Sequence, residues 1–321
     1  MNPEYRLTAK TQIHGWSCKV SKSTLEHILK ESGLDYAAED CAVKEIGDKI
    51  IATNVDIFTP IHDDPVIMGE ITACNATNDI FAMNVIDIVM YLSFLGVPTD
   101  QPEEVTQGLI IGQRNFLKQF GADVNGGHTI INPWPISGGI VVGIADKADL
   151  IPKQLNSKSS SGDVYLTKPL GIQAAMALYR MQKDDGSFLK ELFPGVDTGA
   201  FDVPIKIAVD IMRKSNYDVS KTIRKHQLRS AISSMTDITG FGLKRHAEEV
   251  VDGTSFYISI DTLPIITGID SVSNVLGYDL MGGCAAETAG PMLFCIDPLE
   301  MNSESVLSIF DKENVPIWKI G

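Results

Sequence analysis

A chain of 321 residues exceeds the ~250 to 300 residues at which single hydrophobic cores stop growing, so two domains are expected. Its 27 Lys+Arg against 41 Asp+Glu give a net charge of -14, which repels a phosphate backbone and excludes nucleic acid as an expected partner, while still admitting a small anion escorted by metal ions. Five cysteines without a CxxC pair, no apolar N-terminal run and no stretch of ~18 apolar residues lead to the expectation of a reduced, soluble, cytoplasmic chain without disulfides, signal peptide or membrane span.

In chain order, His14-Gly15-Trp16-Ser17-Cys18-Lys19 reads as a mobile arm ahead of a helix over residues 23–33, with Ser23 and Glu26 as a capping box, Leu25, Ile28 and Leu29 as its apolar stripe and Gly33 as its stop. Two β-rich runs, 41–46 and 49–58, flank Gly47-Asp48, a two-residue hairpin signal. Apolar and small residues from Met68 to Met83 recur at helical spacing and put Asn75 and Asp79 on one face. Polar groups on a buried stripe are costly unless they bind something. A strand at 86–94, a helix at 102–120 stopped by Gly121, a loop at 125–129 and a strand at 136–145 complete an α+β first half. The Ser-rich segment 154–162 reads as the linker, giving domains 1–154 and 155–321. The second half predicts strands at 164–167, 256–260 and 292–296, and helices at 171–182, 203–214 and 242–250.

The chemistry is concentrated in aspartates set among small, turn-forming or β-branched residues: Glu39-Asp40-Cys41-Ala42, Thr53-Asn54-Val55-Asp56, Asn75-Ala76-Thr77-Asn78-Asp79 and Thr236-Asp237-Ile238-Thr239-Gly240. Hard cations such as Mg2+ take oxygen ligands and bring substrate phosphates with them. Two carboxylates ~5 Å apart at an effective dielectric of ~20 repel by roughly 3 kcal/mol, so a polyphosphate beside them requires divalent ions. Lys19 can face the phosphates, and Gly126-Gly127 lets backbone N–H groups approach a ligand closely. Neither GxxxxGK[ST] nor GxGxxG occurs, which argues against P-loop and Rossmann sites. Any one of these aspartates alone reads as a turn former or cap; His14, His246, Cys74, Cys295 and Trp134 read as structural.

Taken together, His14-Gly15, Cys18-Lys19, Asp40-Cys41-Ala42-Val43, Asp56-Ile57-Phe58-Thr59-Pro60, the run from Asn75 to Met83, Gly126-Gly127-His128-Thr129, Asn132-Pro133-Trp134, the run from Leu166 to Gly171, the run from Thr236 to Gly242 and Glu287-Thr288 resemble the selenophosphate synthetase (selenide, water dikinase) family, of the aminoimidazole ribonucleotide synthetase-like superfamily. The resemblance implies a two-domain fold of that superfamily, with an N-terminal sheet domain pairing in a homodimer and a C-terminal α+β domain closing an ATP cleft. It implies conversion of ATP, selenide and water to selenophosphate, AMP and phosphate. By position, Asp40, Asp56, Asp79 and Asp237 match metal and phosphate-site residues, Lys19 an essential lysine, and Gly126, Gly127, His128 and Thr129 a nucleotide-contacting loop. Asn75 joins the nucleotide set through its spacing to Asp79. The chain also ends earlier than typical members, with the expectation that last strands are missing.

One departure matters. Active members carry cysteine or selenocysteine where this chain has Trp16, which cannot shuttle selenide; Cys18 beside Lys19 is the substitute nucleophile considered. The alternative is a diverged ATP-binding paralogue lacking selenide activity. A superfamily enzyme acting on a purine or thiamine intermediate is disfavoured, because the Cys-Lys arm resembles only the selenium branch.

Overall fold

The structure, a computed structural model, describes residues 5–34, 39–184 and 186–321. The first helix, α1 (Lys22–Glu31), is capped by Ser21, whose hydroxyl accepts from the Thr24 N–H. The predicted capping box rests on Ser23 and Glu26, whose side chains lie outside the described residues. Strands β1 (Ala42–Ile46) and β2 (Lys49–Phe58) pair around Gly47-Asp48, where Gly47 supplies the positive φ of 65° that the two-residue turn needs.

Helix α2 (Pro65–Ala82) starts at Asp64, whose carboxylate accepts from the N–H groups of Val66 and Ile67. Strand β3 (Asp87–Val97), helix α3 (Glu103–Leu117), β4 (Gly126–Ile131) and β5 (Ile136–Asp146) follow. The five strands form one sheet in the order β1-β2-β5-β3-β4, antiparallel except for the β3–β4 pair. The predicted loop at 125–129 is corrected here: Gly126 to Thr129 are paired with β3, because α3 forms a crossover that returns the chain parallel to it. Helices α2 and α3 approach closely enough that a Cβ on Gly112 would lie 2.0 Å from the Val66 carbonyl.

In the second half, β6 (Asp163–Leu166), β7 (Ile232–Asp237), β8 (Met292–Ile296) and β9 (Trp318–Lys319) form a sheet ordered β7-β8-β6-β9. Helices α4 (Ile172–Lys183), α5 (Ser187–Leu192), α6 (Asp202–Arg213), α7 (Tyr217–Lys225), α8 (Gly242–Val251), α9 (Ile269–Leu276) and α10 (Ser303–Lys312) complete this half. The predicted strand at 256–260 is absent: the segment alternates between half-buried and exposed residues but joins no ladder. Residues 154–162 lack regular structure, and Leu155 and Asn156 donate to the carbonyls of Val250 and Ser233.

Helix α2 positions the site. It is buried almost all round, as a helix packed on several sides must be. One side lies under the first sheet, and Phe81 near its end joins a core with Tyr165, Phe294 and Phe310 of the second half. No helix among the described residues is long and apolar enough to cross a membrane.

Candidate active site

The inward row of β2 changes character along its length, from Ile50 and Ala52 to Asn54 and Asp56 before Phe58. Strand alternation therefore aims Asp56 at α2. There, Asn75 Nδ2 donates to Asp56 Oδ2 at 2.8 Å, and one turn on, Asn78 Nδ2 donates to Asp237 Oδ2 at 2.9 Å. Asp237 ends β7, so one helix orients carboxylates from both halves of the chain. Asn78 is itself held: its Oδ1 accepts from Asn216, whose Oδ1 accepts from the Thr167 hydroxyl at 2.8 Å.

Asp40, Asp56, Asp79 and Asp237 all line one cavity of about 160 Å³, with Lys19 and Lys153. Burial pushes the Asp40 carboxyl up to about 7, with the charge of Asp237 adding and Lys153 opposing. Burial likewise takes Asp56 to about 6 against the pull of Lys19. Asp79 lies well above the usual carboxylate range, through burial first and then the charges of Asp237, Asp56 and Asp40. Asp40 Oδ1 is satisfied by Thr236 at 3.0 Å and Lys153 at 3.0 Å, but its Oδ2 is buried without a partner.

Oxygen-only donors, an orphaned carboxylate oxygen and ionisation suppressed first by burial and then by like-charged neighbours fit a divalent hard cation, whose arrival would restore the charged form. Among the described residues no three His, Cys, Asp or Glu side chains form a ready cage.

Lys19 Nζ sits 4.1 Å from the Trp16 ring centroid and 5.3 Å from that of Phe241, a cation held on aromatic faces at the cavity wall. Cys18, its neighbour, lines a different cavity of about 760 Å³, with Ile57, Phe58 and Trp134. Trp16 is buried against Phe58, ring centroids 5.3 Å apart. Gly126, Gly127, His128 and Thr129 are exposed on the edge strand β4, and none lines the acidic cavity.

Sequence reasoning missed Lys153, which joins Asp40 to Glu249 at 3.0 and 2.8 Å. Desolvation draws this ammonium down, but the two carboxylates outweigh it and hold its pKa above the ordinary lysine value. Nothing in its local sequence marks it, since both partners are distant. Asn78 was findable, three residues after Asn75 on the same helix stripe. His246, buried beside the cavity, is depressed to about 4 by desolvation and so is neutral.

The two-sheet architecture with helices shared between halves, and the acidic cavity at their junction, define an AIR synthase related protein. That family's N-terminal domain matches residues 38–145 and its C-terminal domain residues 161–321. Within this class the chain belongs to the selenide, water dikinase family: it is 34% identical to the selenide, water dikinase of Methanocaldococcus jannaschii over 334 residues, covering 100% of this chain and 93% of the relative. The enzyme of the same name from Methanococcus maripaludis is 33% identical over 328 residues, covering 96% and 93%. Among solved structures, AaThiL complexed with AMPPCP and TMP has the same fold, with a TM-score of 0.69 at 16% identity over 93% of this chain and 88% of that one.

Proposed function

We propose that this chain is a magnesium-dependent selenide, water dikinase, converting ATP, selenide and water to selenophosphate, AMP and orthophosphate. The carrying observation is the convergence of four aspartates from both halves on one cavity faced by Lys19, in a chain 34% identical along its length to a protein of that name. Bound divalent ions would neutralise the repulsion between these carboxylates and the phosphate oxygens and stabilise charge in the transferring phosphoryl group. Asp40, Asp56, Asp79 and Asp237 are the ligands proposed. Lys19 presents its ammonium to the phosphates, and Asn75 and Asn78 hold Asp56 and Asp237 in place before substrate arrives.

Trp16 supplies no nucleophile, so the arm's thiol is Cys18, and bringing it from the 760 Å³ cavity to the phosphates requires the arm to re-seat. On that ground the segment from His14 to Lys19 is a mobile arm, carried by an N-terminal domain of residues 1–154 that is followed by a C-terminal domain of residues 155–321. A homodimer is supported by the outer face of the first sheet, where Val55, Ile140 and Leu92 stand in one cross-strand row and Thr53, Val142 and Met90 in the next, with Val55 59% and Met90 41% exposed. In such a dimer the edge strand β4 borders the partner, and there we place the nucleotide role of Gly126, Gly127, His128 and Thr129. A cytoplasmic location accords with five free cysteines.

Phosphorus NMR of the protein with selenide, ATP and Mg2+ tests the reading. Selenophosphate and AMP are expected; ATP binding or hydrolysis without selenophosphate would instead identify a diverged paralogue, and Trp16→Cys would then be the variant to restore product.

A further inference from the structure

We propose that Trp16 is a positioning residue for Asp56, its indole N–H fixing the carboxylate through the Asn75 amide when the arm is seated. The inference rests on reading the acidic cavity as a magnesium–nucleotide site. Its starting point is the occupancy of one amide. Asn75 Oδ1 accepts from Trp16 Nε1 at 2.8 Å and from the Ala289 N–H at 2.8 Å, which uses both acceptor positions of a carbonyl-type oxygen. With the oxygen pinned by two N–H donors the amide cannot flip, and its nitrogen must point at Asp56 Oδ2, 2.8 Å away.

Asn75 is fully buried, so a misplaced amide has no water to turn to. Three distant pieces of chain thus meet on one side chain: the arm, the end of β2 and the loop before β8. The same indole carries Lys19 Nζ 4.1 Å from its ring centroid. A single side chain therefore sets both the cation and one carboxylate of the cavity, and unseating the arm releases the two together. A cysteine or serine at this position is too short to place a donor where the indole nitrogen lies. The residue that departs from the family pattern has accordingly been put to a different use, holding the site instead of reacting in it.

Trp16→Phe keeps an aromatic ring against Phe58 and beneath Lys19 while deleting the N–H donor. In calorimetric titrations with a non-hydrolysable ATP analogue, the Mg2+ concentration giving half-maximal binding is expected to rise about fivefold, the equivalent of one lost hydrogen bond, with analogue affinity at saturating Mg2+ within about twofold of the parent. A role in packing alone predicts a lower Tm with an unmoved Mg2+ midpoint, and that result overturns the proposal.

A second measurement needs neither metal nor nucleotide. With indole nitrogens labelled, the Trp16 resonance is assigned among the three tryptophans by its loss in Trp16→Phe. In the ligand-free protein Asp56→Ala is expected to shift that resonance, because the amide linking them is freed at one end, and Asn75→Ala to shift it further. An unmoved resonance in Asp56→Ala ends the proposal even if the cavity binds magnesium nucleotide. A shifted one upholds the coupling even if the parent protein shows no magnesium-linked binding, an outcome that removes the reading of the cavity instead.

Discussion

Two aspartate sites in this molecule, one half-buried and one in the acidic cavity, have opposite electrostatics. Near the N-terminus, Asp63 accepts from the Thr8 N–H and hydroxyl at 2.8 and 2.7 Å, from Arg6 Nε at 3.2 Å and from the Tyr179 hydroxyl at 3.2 Å. Burial tends to raise its pKa, but these donors prevail and hold it below the usual carboxylate value. In the acidic cavity burial raises the same residue type, like-charged neighbours add to it and the donors present do not offset it, so Asp40, Asp56 and Asp79 are all pushed upward. The first arrangement joins the N-terminal segment to α4 and contributes stability. The second costs stability in the ligand-free protein, a pattern found where side chains are kept for binding.

The contrast is broken most decisively at Asp79. Asp79→Asn is expected to lower selenophosphate formation at least ~100-fold, about 3 kcal/mol of transition-state stabilisation, while raising Tm by about 2 °C by removing a buried carboxyl and its repulsion with its neighbours. Phosphorus NMR and a thermal melt on one preparation check both signs, and a fall in Tm with activity intact would place Asp79 in the structural group with Asp63. Lys153→Met comes next: leaving Asp40 and Glu249 buried beside each other without their ammonium is expected to cost roughly 3 kcal/mol in urea unfolding.

Asp63→Asn is expected to cost about 2 kcal/mol, because Arg6 and Thr8 lose a charged acceptor, and to speed proteolysis of the N-terminal segment. An unchanged unfolding midpoint and unchanged cleavage would show that this contact does not hold the segment.

The smallest effect is in pH dependence. Asp63 has a depressed folded pKa, so its contribution is present above the unfolded value near 3.8 and is lost as pH falls through the folded one. Asp40, raised to about 7, behaves oppositely: between pH 3.8 and 7 the folded state holds a proton that the unfolded state has released, so acidification over that window stabilises the metal-free fold. His246, neutral down to about 4, works against this trend between 6.5 and 4, so the comparison is made between the parent and Asp40→Asn in chelator. Their stability difference is expected to shift by about 1 kcal/mol from pH 7 to pH 5, and a flat difference would mean Asp40 is not destabilised by its surroundings.

Most of the regular structure was legible. The Gly47-Asp48 turn, the β-rich run over 49–58 and the helical spacing from Met68 to Met83 each follow from local composition, spacing and turn chemistry, and each is present as an element. The misses have a common cause. Gly126 to Thr129 looked like a loop because two glycines weaken strand propensity, yet β3 offers them an open edge to pair with. The run from Phe256 to Ile260 had the opposite fate: its strand-forming residues join no ladder, although the N–H groups of Asp261 and Thr262 just beyond it donate to the Ile320 carbonyl.

What the sequence determined alone is the set of acidic motifs, the family they resemble and the α+β pattern, because these depend on residue type and short spacing. Only the tertiary structure decided that the four aspartates share a cavity, that Cys18 and Lys19 face different ones, that Lys153 closes an ion pair with Asp40, and that Trp16 is bonded to Asn75. Each of those facts joins groups far apart in the chain or turns adjacent side chains apart. Such outcomes are set by how two sheets pack on one shared helix, which no local pattern encodes.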